Sequence, residues 1–226
     1  MNLSVILYLV GLAIAIASMV ISASVNSRFK KWSKDPNHRR ITGREVAERM
    51  LRNAGINDVT VISTGGNLTD HYNPKDKTVN LSEGVYDKAT IAAVAVAAHE
   101  CGHAIQHHDA YAPLVLRHKM VPVVNIGSQA GWYLFLAGLI FGGSTLLLDI
   151  GIILFSLSTA FHFVTLPVEF NASKRALVTL RESNILMEDE MGGARKVLSA
   201  AAMTYVAAAA AAAIQLLRLI ARRNRN

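Results

Sequence analysis

The stretch "AAHECGHAIQHH", residues 97–108, holds four of the chain's eight histidines. His99 and His103 are four residues apart. On a helix, residues so spaced share a face with Cβ atoms about 5–6 Å apart, so two imidazoles can reach one small cation. Glu100 is turned from His99 by about 100°. It therefore stands beside such a cation without binding it, where it can accept a proton from water. This spacing on a helix points to a zinc site with a carboxylate base. The apolar run "IAAVAVAA" (91–98) leads into it, which predicts a packed helix from about Lys88 to His108. A buried helix carrying two histidines and a glutamate needs something to satisfy them. With eight histidines and eight glutamates in the chain, chance gives this pattern on the order of once in a hundred shuffled sequences. The competing reading is a polar seam on a packed helix.

A catalytic zinc takes three protein ligands and leaves one position for water. Three residues compete for the third place. His107 continues the i+4 series, but a straight helix carries it too far along the axis. Asp109 falls where a longer motif places its last ligand, but that motif needs a glycine turn where this chain has Gln106. Glu169 lies in "LPVEFNASKRA" (166–176), just past an apolar block. Pro167 is expected to end that block and a new helix bearing Glu169 to start there. Two apolar spans that leave and return would bring Glu169 to the face that holds His99 and His103, which favours it.

Hydrophobic residues make up 52% of the 226-residue chain and cluster. Residues 3–25 carry no charge and are long enough to span a bilayer. The positive charges follow this run, so it reads as a retained anchor (1–25) and not a cleaved leader. Residues 121–168 read as a membrane hairpin of two spans, 121–142 and 145–167, broken at Gly142-Gly143-Ser144. The alanine-rich segment 197–226 is a possible fourth span with a basic tail. The segments 26–120, with the histidine helix, and 169–196, with Glu169, lie outside the apolar blocks. The second is expected to be interrupted at Gly192-Gly193.

The net charge of +7 bears on topology. Arg28, Lys30, Lys31, Lys34, Arg39, Arg40, Arg44, Arg49 and Arg52 follow the anchor, and positive residues near a span stay cytoplasmic. The site is thus expected on the cytoplasmic face of a multi-pass cell-membrane protein. A true fourth span would place Arg218, Arg222, Arg223 and Arg225 at or near the outer side, against that rule. Phe29 and Trp32 are the only aromatics in the basic run, which is thin for base stacking. They read as an interfacial belt, with anionic lipid favoured over nucleic acid. A single cysteine, Cys101, excludes an intrachain disulfide and is expected to be packed.

Elsewhere, "TGREVAERMLRNAGI" (42–56) predicts an amphipathic helix with Thr42 and Glu45 as a capping box and Gly55 at its end. Residues 58–64 and 78–81 predict strands, with a turn at Asn73–Asp76. The segment 77–84 is expected to offer an exposed strand edge to a peptide. His162, Tyr72, His71 and Asn171 are candidates for stabilising an oxyanion or supporting the ligands. The expected architecture is a mainly α membrane protein. It has a zincin-like helical core around His-Glu-x-x-His, a small β-hairpin or sheet, and three to four transmembrane helices.

His-Glu-x-Gly-His, a membrane hairpin and then Glu-Phe-Asn-Ala-Ser resembles the HtpX-type membrane metallopeptidases. Ser173 stands where those have aspartate. The chain is more similar to the YugP-like neutral zinc metallopeptidases. The similarity is carried by the N-terminal anchor, "LTDHYNPKDKTVNLSEGVYDKATIAAVAVAAHECGHAIQ" (68–106) and "TLPVEFNASKRAL" (165–177). That resemblance implies a membrane-embedded zinc endopeptidase of the gluzincin type, acting on protein or peptide substrates. It implies one zinc, with His99, His103 and Glu169 as ligands and Glu100 as base. The rival class is a membrane scaffold that holds a structural zinc and cleaves nothing. A transporter using Asp149 and His162 is a weaker rival.

Overall fold

The computed structural model describes residues 3–141 and 145–224. The expected break at Gly142-Gly143-Ser144 and the basic Arg225 lie outside them. In chain order the elements are α1 (Leu3–Trp32), α2 (Gly43–Asn53), β1 (Thr60–Thr64), β2 (His71–Asn73), β3 (Thr78–Ser82), α3 (Ile91–His108), α4 (Ala112–Ile140), α5 (Thr145–Glu182) and α6 (Glu188–Arg223). The protein is mainly α with one small sheet. α1, α4, α5 and α6 are long and apolar enough to cross a membrane. Two compact units divide the chain. One comprises Met1–Ile21, Val115–Pro167 and Thr204–Asn226, the other Ser22–Leu114 and Val168–Met203.

The second unit has a continuous core. Thr42 opens α2 as read from the sequence: its Oγ1 accepts from Glu45 N–H (3.2 Å) and Glu45 Oε2 accepts from Thr42 N–H (2.7 Å). The apolar face of α2, with Val46, Ala47, Met50 and Leu51, then packs on the alanine-rich face of α3. α3 starts at Ile91, three residues later than expected, because Thr90 takes the capping position and accepts from Ala93 N–H. β3 is the central strand, parallel to β1 and antiparallel to β2. This corrects the expectation that 77–84 offers a free edge, since both its edges are already paired. Asp70 fastens the sheet by accepting from Ser82 N–H (2.7 Å) and Ser82 Oγ (2.9 Å). Burial pushes its carboxyl above the usual aspartate range despite those bonds.

Three further expectations fail for packing reasons. α5 runs unbroken through Pro167. A proline removes one amide donor, and long apolar helices tolerate that loss when the turns on either side hold. α6 runs unbroken through Gly192-Gly193. A Cβ at Gly193 would lie 2.7 Å from Trp32 Cε3, so this glycine serves close approach rather than a turn. Phe29 and Trp32 are not a lipid-facing belt. α1 continues past its apolar run, Phe29 is buried at 8% exposure, and both side chains pack on the core of the second unit.

The first unit holds few buried side chains, chiefly Phe135, Leu148 and Leu219. α4 and α5 approach closely at Gly131 and Gly151, where a Cβ on Gly151 would lie 2.8 Å from Gly131 O. Such small-residue contacts bring helices together in a bilayer. Two of the arginines that set length against the positive-inside rule, Arg218 and Arg223, are engaged in this unit. Arg223 binds both carboxylate oxygens of Asp149 (2.9 and 3.0 Å). Arg218 donates to the carbonyls of Leu7 and Tyr8 (3.2 Å each) and lies over the Tyr8 ring at 4.8 Å.

Candidate metal centre

α3 presents His99 and His103 on one face, and α5 presents Glu169 to them. His99 Nε2 is 3.3 Å and His103 Nε2 3.6 Å from Glu169 Oε2. The three ligand atoms all lie within 4.8 Å of one another. Bonds of about 2.0–2.2 Å in a tetrahedral zinc site give ligand edges of about 3.4 Å, so the spacing fits such an ion. Two imidazoles and a carboxylate are also a donor set that zinc takes. The glutamate side chain is 2% exposed, while the histidine side chains are 14% and 12% exposed. One side of the group is therefore open.

The other ring nitrogens have hydrogen-bond partners, of the kind that orient a metal-binding histidine. With Nε2 kept for the metal, His99 Nδ1–H donates to Ser173 Oγ (3.2 Å) and His103 Nδ1–H to Gln106 Oε1 (3.0 Å). Gln106 is wholly buried, and its amide donates to Val168 O (2.8 Å) and Asn171 Oδ1 (3.0 Å). Arg175 continues the chain, from Asn171 Oδ1 (2.8 Å) to Asp109 Oδ2 (2.6 Å). Burial by itself would push the His103 pKa down. The Glu169 carboxylate, with Glu100 and Gln106, outweighs it and holds that pKa above the usual histidine value.

The helices meet closely because of Gly102. A Cβ there would lie 2.7 Å from Ala172 O and 3.1 Å from Ala172 Cα. Any larger residue would push away the turn of α5 that lies between Glu169 and Ser173.

Glu100 is 8% exposed and points to the sheet, where its Oε2 accepts Tyr72 N–H of β2 (3.0 Å). The Tyr72 hydroxyl lies 2.8 Å from His107 Nδ1. His107 therefore contacts β2 through Tyr72. The remaining candidates are dispersed. Asp109 caps α3 and pairs with Arg175. His71 is exposed on β2, with its ring on Thr69 O. Asn171 belongs to the Gln106 network. His162 falls in the other unit. Cys101 is wholly buried beside Ala47 O, and burial pushes its thiol pKa strongly up. It is packed, as its position suggested.

Sequence reasoning passed over Gly102, Gln106 and Ser173 as working parts. One signal was available for Ser173, which lies four residues from Glu169 and so shares its helix face.

Comparison with known proteins adds two findings. The model of a family described as "Putative neutral zinc metallopeptidase" matches residues 6–224. The "Putative membrane protease YugP" of Bacillus subtilis (strain 168) is 48% identical over 196 residues, which cover 87% of each chain. No solved structure matches.

Proposed function

The chain belongs to the neutral zinc metallopeptidase family, and from that premise we propose that it is a membrane-embedded endopeptidase working at a single zinc held by His99, His103 and Glu169. The observation that carries this is the convergence of two imidazoles and one carboxylate at zinc spacing, with Glu100 beside them and one side open. Three protein ligands leave a place for water, which favours an enzyme over a scaffold with a closed metal site. Zinc bound there supplies Lewis acidity to a carbonyl oxygen and acidifies water.

The chain's own residues do the rest. Tyr72 N–H fixes Oε2 of Glu100 and leaves Oε1 to take the proton from the attacking water. Glu100 then returns it to the departing amine. Ser173 and Gln106 keep both Nε2 lone pairs turned toward the ligand position. Of the candidates for oxyanion support, Tyr72 bonds the base through its backbone N–H, and its hydroxyl is held by His107. The basic residues after the apolar run of α1 support a cytoplasmic face for the site, as does the engagement of Arg218 and Arg223 by Leu7, Tyr8 and Asp149.

The test is metal content and cleavage of unfolded casein by detergent-purified protein. Wild type is expected to hold about one zinc and to cleave. Glu100→Gln is expected to keep the metal and lose activity by roughly a hundredfold to ten-thousandfold. Glu169→Ala is expected to lose the metal. Zinc bound by a wild type that leaves casein uncut would return the chain to the scaffold class, and unchanged cleavage by Glu100→Gln would overturn Glu100 as the base.

A further inference from the structure

Beyond the turn that carries Glu169, α5 and α6 enclose a groove of about 530 Å³. Phe170, Lys174, Leu177 and Arg181 form one wall, at helical spacings of four, three and four. Met191, Arg195, Leu198 and Ala202 form the other with the same spacings. The helices run in opposite directions, being joined by the short segment 183–187. The two walls therefore face each other with Lys174 and Arg195 near mid-groove on opposite sides.

Three observations say what occupies it. The lining is mostly apolar, with one acid, Glu182, at the end away from Phe170, and Phe170, Val178 and Met203 remain 48%, 42% and 44% exposed. The groove begins within a turn of the apolar run of α5, at Phe170, and of the alanine-rich run of α6, at Met203. Among the described residues, Lys174 and Arg195 meet no carboxylate at ion-pair distance, whereas Arg181 is already paired with Glu188 (2.7 Å). The volume is that of a small-molecule site, of about 300–1,000 Å³. Basic pockets beside spanning helices take anionic lipid headgroups.

We propose that this groove binds one anionic phospholipid, with its phosphate between Lys174 and Arg195 and an acyl chain leaving past Phe170 and Met203. The inference rests on the membrane placement of the helices and not on the peptidase reading. It has a consequence for the metal centre all the same. Ser173 lines the groove and also holds His99 Nδ1, so the lipid lies one side chain away from a ligand.

The test is native mass spectrometry of the delipidated full-length chain, titrated with phosphatidylglycerol or phosphatidylcholine. Wild type is expected to prefer phosphatidylglycerol. The double variant Lys174→Gln/Arg195→Gln is expected to lose about tenfold or more of that binding, while Lys75→Gln/Lys88→Gln keeps it. Ser199→Trp, which fills the groove and leaves its charges, is expected to weaken binding as well. Equal retention of the two lipids would overturn the proposal, as would full phosphatidylglycerol binding by the first double variant. If Ser199→Trp kept the lipid but lost an apolar acidic peptide, the groove would belong to a peptide and the proposal would fall.

Discussion

Val94, Ala95, Ala97, Ala98 and Cys101 of α3 are wholly buried, whereas Tyr133, Ile140, Leu146 and Ile153 of α4 and α5 are between 62% and 75% exposed. All are apolar, and they answer to different solvents. The unit with the histidines excludes water from its own core, and its side chains interlock at the density of a crystal. The apolar unit leaves that surface for acyl chains. Its contacts between helices include the close approach at Gly131 and Gly151 and the arginine contacts at Asp149, Leu7 and Tyr8. A metal ligand set needs positions held to about half an ångström. The first kind of packing supplies that and the second does not.

Substitutions can break or sharpen this contrast. The largest effect is expected at Gly102. Gly102→Val should push α5 off α3, costing about 3 kcal/mol of stability and weakening zinc binding by about a hundredfold. Thermal unfolding in detergent and chelator competition would measure the two. Normal zinc affinity in a folded Gly102→Val protein would mean that the close approach does not set the site. Next comes Gln106→Ala, which strips His103 of its Nδ1 partner and Val168 O of its donor. Loss of such an outer partner typically weakens metal affinity 10- to 100-fold, again read by chelator competition. Ser173→Ala removes a longer bond, and about tenfold or less is expected. An unchanged affinity there would leave His99 oriented by packing alone. The smallest effect belongs to the apolar unit. Asp149→Asn breaks a half-exposed ion pair and should shift the thermal midpoint little, with zinc affinity unmoved. A large loss of zinc in that variant would defeat the contrast.

The sequence displayed some of this directly. The four-residue spacing of His99 and His103, the cap at Thr42 and the turn after Asn73 are local patterns, and local patterns survive without tertiary context. The approach of Glu169 to the histidines could be argued from the return of two apolar runs. The Gln106–Val168 and Ser173–His99 contacts join residues 62 and 74 positions apart, and no spacing rule reaches that far. Local rules also misled where packing overrode them. Pro167 and Gly192-Gly193 read as breaks because both residue types weaken helices, yet α5 and α6 pass through. Phe29 and Trp32 read as interfacial because aromatics gather there, and the extension of α1 took them into a core. The segment 77–84 read as an edge because strand order is invisible in a sequence.

Gly102 carries a consequence for anyone engineering this chain. A glycine inside a helix costs about 0.5–1 kcal/mol relative to alanine, so glycine-to-alanine exchange in helices is a standard stabilising step. Ranking positions by helix propensity would select Gly102 among the first to replace. The added methyl group would reach to 2.7 Å from Ala172 O. The helix-propensity gain would then come with a displaced turn of α5, so Gly102 is a position at which such a ranking fails.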